Sequence, residues 1–199
     1  MAKELFERID RKVSSLLDEV LNGSIGLPDL QRPFVWPDTK VKDLFDSMMK
    51  GFPIGYVMLW ASPINYGNTK SIGSNEKQFK RPDDLVIDGQ QRLTSLLAAM
   101  TGVTVKNKDF KDKRIKICFN PLTKEFQVWS QAYENDTRMI SDISLVYKAD
   151  ETHTLRKFRN TVIDRINEGR TKKGEVSLTD TEEELIEDNI NSLLDLKQY

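Results

Sequence analysis

The sequence has few of the side chains that most often carry catalysis, with one cysteine and one histidine among 199 residues. One cysteine cannot form an internal disulfide, and together with one histidine it cannot form a zinc site made of His and Cys ligands. An HNH-type nuclease centre is excluded as well, because it needs several histidines. Ser-His-Asp or Cys-His catalysis would depend on His153, which stands between two threonines in a charged, polar stretch and is a poor candidate.

Long hydrophobic runs are also missing. The longest stretch almost free of charge, residues 52–71, is interrupted by two prolines and two glycines, so it cannot form a membrane-spanning helix. The N-terminus mixes acidic with basic residues and lacks the basic-then-apolar order of a signal peptide. We therefore predict a cytoplasmic protein with no membrane partner, in which Cys118 is a buried, reduced thiol.

The charges balance over the whole chain but not along it. There are 30 Lys and Arg residues against 31 Asp and Glu, a formal net charge of −1. Residues 106–116 hold six basic and two acidic side chains, residues 156–173 hold seven and two, and residues 175–197 hold one and eight. Two interpretations stay open: solvated helix faces and loops, or a DNA-facing basic surface balanced by an acidic tail.

Hydrophobic periodicity predicts two helices separated by an extended segment near the N-terminus. Apolar residues at three- and four-residue intervals indicate a helix over residues 5–21. Residues 27–36 contain two prolines and are expected to be extended or rich in turns. A second helical stripe follows over residues 37–49 and is closed by Gly51.

The middle of the chain alternates between strand and helix patterns. The apolar run at residues 56–60 predicts a buried strand, and the polar residues 62–84 predict a long surface loop. Residues 85–87 predict another strand, and a helical stripe over residues 93–100 then runs up to Gly102.

The last third is predicted to be a hairpin followed by helices. Residues 114–119 and 126–129 have the alternation of a β-hairpin. After about residue 137 the pattern turns helical, with a basic loop at residues 169–174 and a last helix capped within residues 177–180.

The most informative segment is Asp88-Gly89-Gln90-Gln91-Arg92, between a predicted strand and a predicted helix. A helix N-terminus presents backbone N–H groups and a positive dipole end, and glycine lets a ligand approach the backbone. The structural alternative is a capping box, whose spacing Asp88 and Gln91 have. Capping does not explain Arg92, because a cation in the first turn opposes the helix dipole by roughly 0.3–1 kcal/mol. A bound phosphate would reverse that sign.

A second group of polar and aromatic side chains occupies residues 31–36, in the order Gln-Arg-Pro-Phe-Val-Trp. An amide, a guanidinium and two aromatic rings on backbone stiffened by proline suit recognition of a base or a phosphate. In the structural alternative, Phe34 and Trp36 anchor the core and Arg32 makes a salt bridge. Spacing alone leaves both interpretations open.

Three segments occur together in one order and spacing: residues 31–36, residues 51–55 (Gly-Phe-Pro-Ile-Gly) and residues 86–94 (Val-Ile-Asp-Gly-Gln-Gln-Arg-Leu-Thr). In this combination the sequence resembles the N-terminal domain of GmrSD-type modification-dependent restriction enzymes, part of the ParB/sulfiredoxin-like superfamily. The resemblance covers residues 10–130 well and the following helices more loosely.

The resemblance implies a fold and a domain organisation. The expected class is α+β, with a ParB/sulfiredoxin-like α/β core and a small mixed sheet over residues 1–135, including an N-terminal helix. A mainly helical extension, residues 136–199, would be the start of a longer helical region. Relatives frequently continue into a histidine-containing HNH domain that this chain lacks. We expect it not to cut DNA by that route, as either a fragment or half of a split system.

The resemblance also implies the residues of a nucleotide site. Gly89 and Arg92 would hold the phosphates of an NTP, most readily ATP or GTP, while Asp88 would order the segment or hold Mg²⁺ through water. Gln90 or Gln91 would orient a water or substrate oxygen. Catalytic roles would fall on Asp88, Gln91 and Arg92. The nucleotide-binding set would be Gln31, Arg32, Gly89, Gln90, Arg92 and Thr94, with Gln31 and Arg32 closing the other side of the pocket.

The resulting prediction is a nucleotide-binding, NTP-hydrolysing regulatory domain of a DNA restriction or phage-defence system. DNA would be reached through the full-length protein or a C-terminal nuclease partner, and a homodimer is left open. The main rival is a nucleotide-independent DNA-binding module that uses residues 106–116 and 156–173. A nuclease built on carboxylates and metal is not favoured, because the sequence shows no tight carboxylate group.

Overall fold

The computed structural model describes residues 6–28, 33–61, 69–70 and 82–199. Within these ranges the chain forms seven α-helices and eight short strands, which confirms the predicted α+β class. The helices are α1 (Val13–Leu21), α2 (Asp38–Met49), α3 (Gln90–Thr101), α4 (Gln131–Asn135), α5 (Ser144–Glu151), α6 (Leu155–Lys172) and α7 (Asp180–Asp195), followed by a short 3-10 helix, Leu196–Gln198. The strands are β1 (Ile25–Pro28), β2 (Met58–Ala61), β3 (Thr69–Lys70), β4 (Asp84–Asp88), β5 (Val105–Lys106), β6 (Asp112–Lys113), β7 (Ile117–Asn120) and β8 (Glu125–Val128).

The N-terminal half contains a mixed four-stranded sheet with the strand order β2-β4-β1-β3. The two central strands are parallel, with Ile25 opposite Asp84 and Gly26 opposite Leu85. β2 pairs antiparallel with β4, and β3 pairs antiparallel with β1. The carboxyl end of β4 leads directly into α3, so this central strand determines the position of the Asp88–Arg92 segment.

The prediction of a buried strand at residues 56–60 is wrong in its burial. The strand begins at Met58 and lies at the edge of the sheet, and Tyr56, Met58 and Trp60 are exposed. Leu59 between them packs on the core. A short apolar run cannot reveal whether one or both faces of its strand will be covered, because that depends on the strand's place in the sheet.

The predicted N-terminal helix is shorter than expected. α1 begins at Val13 instead of residue 5, and Lys12 before it has an extended backbone. Phe6 and Ile9, which continue the apolar stripe in the sequence, are exposed. Without a surface to bury them, these residues give no packing energy to offset the cost of extending a helix.

Most of the predicted loop at residues 62–84 lies outside the described residues. The described part departs from a simple loop, because Thr69–Lys70 forms β3 and Asp84 already belongs to β4. Leu27 and Pro28 of β1 are the register partners of β3.

Several elements end where the sequence predicts. α2 and α3 stop just before Gly51 and Gly102, whose φ angles of +71° and +79° only glycine adopts without strain. The predicted hairpin is formed by β7 and β8. Within it Cys118 is buried as predicted, and this burial raises the pKa of its thiol to about 11, so the thiol is unreactive at neutral pH.

The predicted basic loop at residues 169–174 is wrong, because α6 continues through Gly169 to Lys172. Gly169 is a contact residue here: a Cβ at this position would lie 2.0 Å from Thr137 Oγ1. The glycine therefore lets the helix approach the segment before α5, and does not mark a turn.

α7 begins with a capping box, as the sequence predicts for residues 177–180. Thr179 Oγ1 accepts from the backbone N–H of Glu182, and the Glu182 carboxylate accepts from the Thr179 N–H at 2.9 Å. The same carboxylate binds the Arg170 guanidinium at 2.6 Å, which lowers the pKa of Glu182 to about 2.

This lowered pKa predicts a pH-dependent effect of Glu182→Gln. A carboxyl whose pKa falls on folding stabilises the native state above its unfolded pKa of 4.5 and loses that contribution as the pH falls toward 2. We expect the variant to be less stable than the wild type at pH 7, with the difference disappearing between pH 4.5 and pH 2. Urea unfolding at a series of pH values measures this, and a difference that is constant with pH would contradict it.

One hydrophobic core spans both sides of the domain boundary predicted at residue 135. It includes Val13 and Phe45 from the N-terminal helices and Ile190 and Leu193 from α7. The Tyr147 hydroxyl donates to the Leu193 carbonyl at 2.8 Å and ties α5 to α7. No helix in the described part of the chain is long and apolar enough to cross a membrane.

Candidate functional site

The junction of β4 and α3 is built on a left-handed glycine. Gly89 has φ +89° and precedes the first helical residue, Gln90. Neither Gly89 nor a neighbouring side chain caps the helix, so the capping box predicted for Asp88 and Gln91 is not formed. Both side chains have other partners: Asp88 pairs with Arg92, and Gln91 contacts residues 33–36.

Gly89 is buried, and other residues of the protein occupy the space that a side chain at this position would need. A Cβ there would lie 3.1 Å from the Val57 Cα and 3.3 Å from the Tyr56 carbonyl oxygen. The chain entering β2 thus occupies the space that the sequence interpretation gave to a ligand. Phosphate binding by Gly89 stays a prediction that would have to use the other side of its backbone.

Gln91 forms hydrogen bonds with residues 33–36, the part of the Gln-Arg-Pro-Phe-Val-Trp segment that follows Gln31 and Arg32. Its Oε1 accepts from the backbone N–H of Val35 at 2.9 Å and of Trp36 at 3.3 Å, while its Nε2 donates to the Pro33 carbonyl at 3.2 Å. The two conspicuous motifs of the sequence are therefore in direct contact, with both ends of one amide engaged.

The aromatic residues of the same segment serve the core. Phe34 is 4% exposed, and Trp36 packs against the core from a half-buried position. The structural interpretation of these two rings is thereby confirmed. Gln31 and Arg32, predicted to close the nucleotide pocket, lie outside the described residues, so their role stays a prediction.

Arg92 reaches from the first turn of α3 to a tight turn before β2. Its Nη1 donates to the Ile54 carbonyl at 2.8 Å, and its Nη2 donates to the Asp88 carboxylate at 2.9 Å. Gly55, with φ +87°, provides the space, because a Cβ there would lie 2.2 Å from Nη1. The arginine is held in place by groups at the surface, with 20% of its side chain exposed and 70% of that of Asp88.

The two remaining predicted residues differ in environment. Gln90 is half-buried at the start of α3 and has polar partners, whereas Thr94 is 4% exposed, one turn further into the helix. Within the described residues, Thr94 Oγ1 has no hydrogen-bond partner. Neither residue lines the groove described next, so their nucleotide-binding roles stay predictions.

A groove of about 530 Å³ lies beside Arg92. One wall is the segment before α1 together with its first turn, and the other is the turn before β2 and β2 itself, where Tyr56, Val57 and Leu59 line it. Tyr199 and the α3 residues Leu93 and Leu96 complete it. This size and mainly apolar lining, with a few charged groups, suit a small molecule of nucleotide dimensions.

The charges of the groove are mixed. Arg92 and Arg11 stand against three carboxylates, Glu7, Asp10 and Asp84. Arg11 binds Glu19 at 2.6 Å and lies 3.9 Å from Asp84. In the described part of the chain, no three Asp, Glu, Cys or His side chains converge to hold a metal ion. A metal at Asp88 would therefore need water and ligand oxygens, as the sequence interpretation assumed.

Sequence reasoning missed three parts of this site: Ile54 and Gly55 as the support of Arg92, the groove wall before α1, and Tyr199. The run Gly-Phe-Pro-Ile-Gly at residues 51–55 was visible, and two glycines around a proline indicate a sharp turn. Nothing in the sequence paired that turn with an arginine 38 positions away.

Several basic side chains of the segment 106–116 have partners within the protein. Lys106 pairs with Asp112 at 2.9 Å, and Lys113 pairs with Asp38 at 2.7 Å. Lys116 lies over the Trp129 ring, 4.9 Å from its centroid. These contacts favour the interpretation of solvated, internally paired charges for this segment.

Arg114, counted among the basic residues of that segment, is part of a half-buried network. Its Nη2 donates to Asp142 at 2.6 Å and to Ser144 at 2.9 Å, and its Nη1 donates to the carbonyls of Ala98 and Ile115, both at 3.0 Å. Asp142 is 7% exposed. The arginine thus joins α3, the segment before β7 and the start of α5.

In the basic segment 156–173 three arginines also have internal partners. Arg159 donates to Asn191, and Arg170 binds Glu182. Arg165 donates to the Thr137 carbonyl at 3.2 Å, and its burial lowers its pKa. Nucleotide-independent DNA binding by the two basic segments stays a prediction, with fewer outward-facing charges than the sequence count suggested.

Comparisons with known proteins point to one family. The family model described as "GmrSD restriction endonuclease, N-terminal domain" matches residues 13–198, nearly the whole chain. A protein of Methanocaldococcus jannaschii, described only as uncharacterized, is 33% identical over 97 residues, which cover 45% of this chain and 17% of that relative. This chain thus matches a small part of a much longer protein.

Proposed function

This chain belongs to the family of GmrSD restriction endonuclease N-terminal domains, and from that premise we propose that it is a nucleotide-binding, NTP-hydrolysing regulatory domain of a DNA restriction or phage-defence system. The phosphates of ATP or GTP bind beside Arg92, and the base lies in the groove toward Tyr56 and Leu59. Contact with DNA belongs to the full-length protein or to a nuclease partner.

The observation that carries this proposal is the placement of Arg92. The guanidinium has five N–H donors, and its contacts with Ile54 and Asp88 fix its plane at the wall of a nucleotide-sized groove. An i,i+4 pair as exposed as Asp88–Arg92 contributes only about 0.3–0.5 kcal/mol. A phosphate, with more charge and three acceptor oxygens, can therefore replace Asp88 as the partner of Arg92.

The charge balance of the groove supports a requirement for a divalent ion. Three carboxylates face two arginines there, so a polyphosphate alone would meet a surplus of negative charge. Mg²⁺, when bound, would neutralise phosphate charge during phosphoryl transfer. Asp88 would meet that ion through water, and Arg92 would orient the phosphates.

Of the two glutamines considered for orienting a water, Gln91 has another role. Gln91 already uses both ends of its amide to hold Pro33, Val35 and Trp36. Gln91 would therefore act by positioning residues 33–36 against the start of α3.

A thermal shift measurement tests the proposal. We expect ATP or GTP with Mg²⁺, at one hundred times its dissociation constant, to stabilise the protein by about 2.7 kcal/mol. For a domain of this size that raises the unfolding midpoint by roughly 5–10 °C. The same midpoint is measured with CTP and UTP, and with each of the four nucleotides in the absence of Mg²⁺.

Arg92→Ala is the matched variant, because it removes the proposed phosphate ligand from an exposed ion pair. The variant should fold and show no nucleotide-dependent shift. A wild-type protein that no nucleotide stabilises, or an Arg92→Ala variant that responds like the wild type, would show that the phosphates do not bind here.

A further inference from the structure

A contact outside the predicted site joins residues 196–199 (the C-terminal turn) to the groove. The hydroxyl of Tyr199 donates to the carbonyl of Phe52, and its side chain lines the groove. Just before it, Leu196 of the 3-10 helix is buried, and this helix packs against α1. Packing of the 3-10 helix against α1 thus holds Tyr199 in place, and its hydroxyl contacts the turn before β2.

That turn is the same one that holds Arg92. The carbonyl contacted by Tyr199 lies only two residues before the Ile54 carbonyl, which accepts from Arg92 Nη1 at 2.8 Å. Pro53 between them has a fixed φ, which removes one of the few backbone rotations that separate the two carbonyls. A displacement of the Phe52 carbonyl would therefore move the acceptor of Arg92.

We propose that Tyr199 is a positioning residue for the phosphate site: its hydroxyl fixes the turn at residues 52–55, and the turn fixes Arg92. This inference rests on the proposed function, because it names how the same site is regulated. Docking of the C-terminal turn raises the affinity for nucleotide. By linkage, bound nucleotide raises the equilibrium constant for docking of the C-terminal turn by the same factor.

The variant that tests this is Tyr199→Phe, which keeps the ring and removes only the hydroxyl. We expect the dissociation constant for Mg²⁺–ATP or Mg²⁺–GTP, measured by calorimetry, to rise about 3- to 10-fold, as loss of one hydrogen bond implies. Hydrogen exchange should show that nucleotide increases amide protection at residues 196–199 in the wild type, and less so in the variant.

Thr179→Ala is the control for lost stability. It removes the cap at the opposite end of α7, far along the chain from the turn, and lowers the unfolding midpoint through the same helix. A purely structural role of Tyr199 would make the two variants alike in nucleotide affinity. The positioning role requires that Thr179→Ala binds nucleotide as the wild type does.

A second comparison separates positioning from direct contact with the nucleotide. Lysine at position 92 keeps the charge but lacks the planar fork that spans Ile54 and Asp88. In an Arg92→Lys background, removal of the Tyr199 hydroxyl should have no further effect on the dissociation constant. Additive effects of the two substitutions would mean that Tyr199 acts independently of Arg92 and would overturn the inference.

The outcomes distinguish this inference from the function on which it rests. If none of the four nucleotides shifts the wild-type midpoint, the proposed function fails and the inference fails with it. If the wild type binds nucleotide and Tyr199→Phe binds it equally well, only the positioning role is overturned.

Discussion

Replacing Arg114 with methionine is expected to lower the free energy of unfolding by about 3–5 kcal/mol, the cost of leaving a buried partner charge uncompensated. Asp142 would keep its carboxylate at 7% exposure without the guanidinium 2.6 Å away. The carbonyls of Ala98 and Ile115 would lose a donor as well. Urea unfolding at neutral pH measures the loss.

Lys42→Met is the matched control, because Lys42 also pairs with a carboxylate, Asp46, but in an i,i+4 pair on the surface of α2. Such a pair contributes about 0.3–0.5 kcal/mol. The additional substitution Asp142→Asn should recover part of the loss in Arg114→Met, since it removes the unpaired charge. Equal costs of Arg114→Met and Lys42→Met would contradict the network described here.

Gly89→Ala is expected to destabilise the protein by about 2–4 kcal/mol, from two separate causes. A non-glycine residue at φ +89° carries roughly 1–3 kcal/mol of backbone strain. The new Cβ would also stand 3.1 Å from the Val57 Cα, a backbone atom that can move only if the entry to β2 moves. Denaturant unfolding measures the sum.

Gly51→Ala separates the two causes. Gly51 has φ +71°, and a Cβ there would have nothing within 4 Å, so this variant experiences the backbone strain alone. The excess cost of Gly89→Ala over Gly51→Ala is the cost of pushing β2 away. If the two variants lost the same stability, the approach of Val57 to Gly89 would have no energetic weight.

Local signals predicted the ends of elements well. Gly51 and Gly102 close α2 and α3 because a left-handed residue after a helix is a local requirement that the sequence states directly. Gly169 led to a wrong prediction, because a glycine at this position predicts the end of a helix that in fact continues. Its glycine is needed for contact with Thr137, and helix packing of this kind has no local signature.

The contacts of Asp88, Gln91 and Arg92 were only partly predictable from the sequence. Asp88 ends β4 and Arg92 lies in the first turn of α3, so their closeness in the sequence allows the ion pair between them. The partners of Gln91 and Arg92 in the turns at residues 33–36 and 54–55 are set by the sheet order. The electrostatic argument for Arg92 foresaw a negative neighbour, and Asp88 supplies one without excluding a stronger one.

The parallel pairing of β1 with β4 has a consequence for how the molecule assembles. Ile25 meets Asp84 across the centre of the sheet, so the intervening chain must close on itself before any of that pairing is rewarded. The hairpin of β7 and β8 and the succession of α5, α6 and α7 involve neighbours in sequence and need no such closure. The groove beside Arg92, which includes residues of β2 and β4, is therefore expected to form after these local contacts.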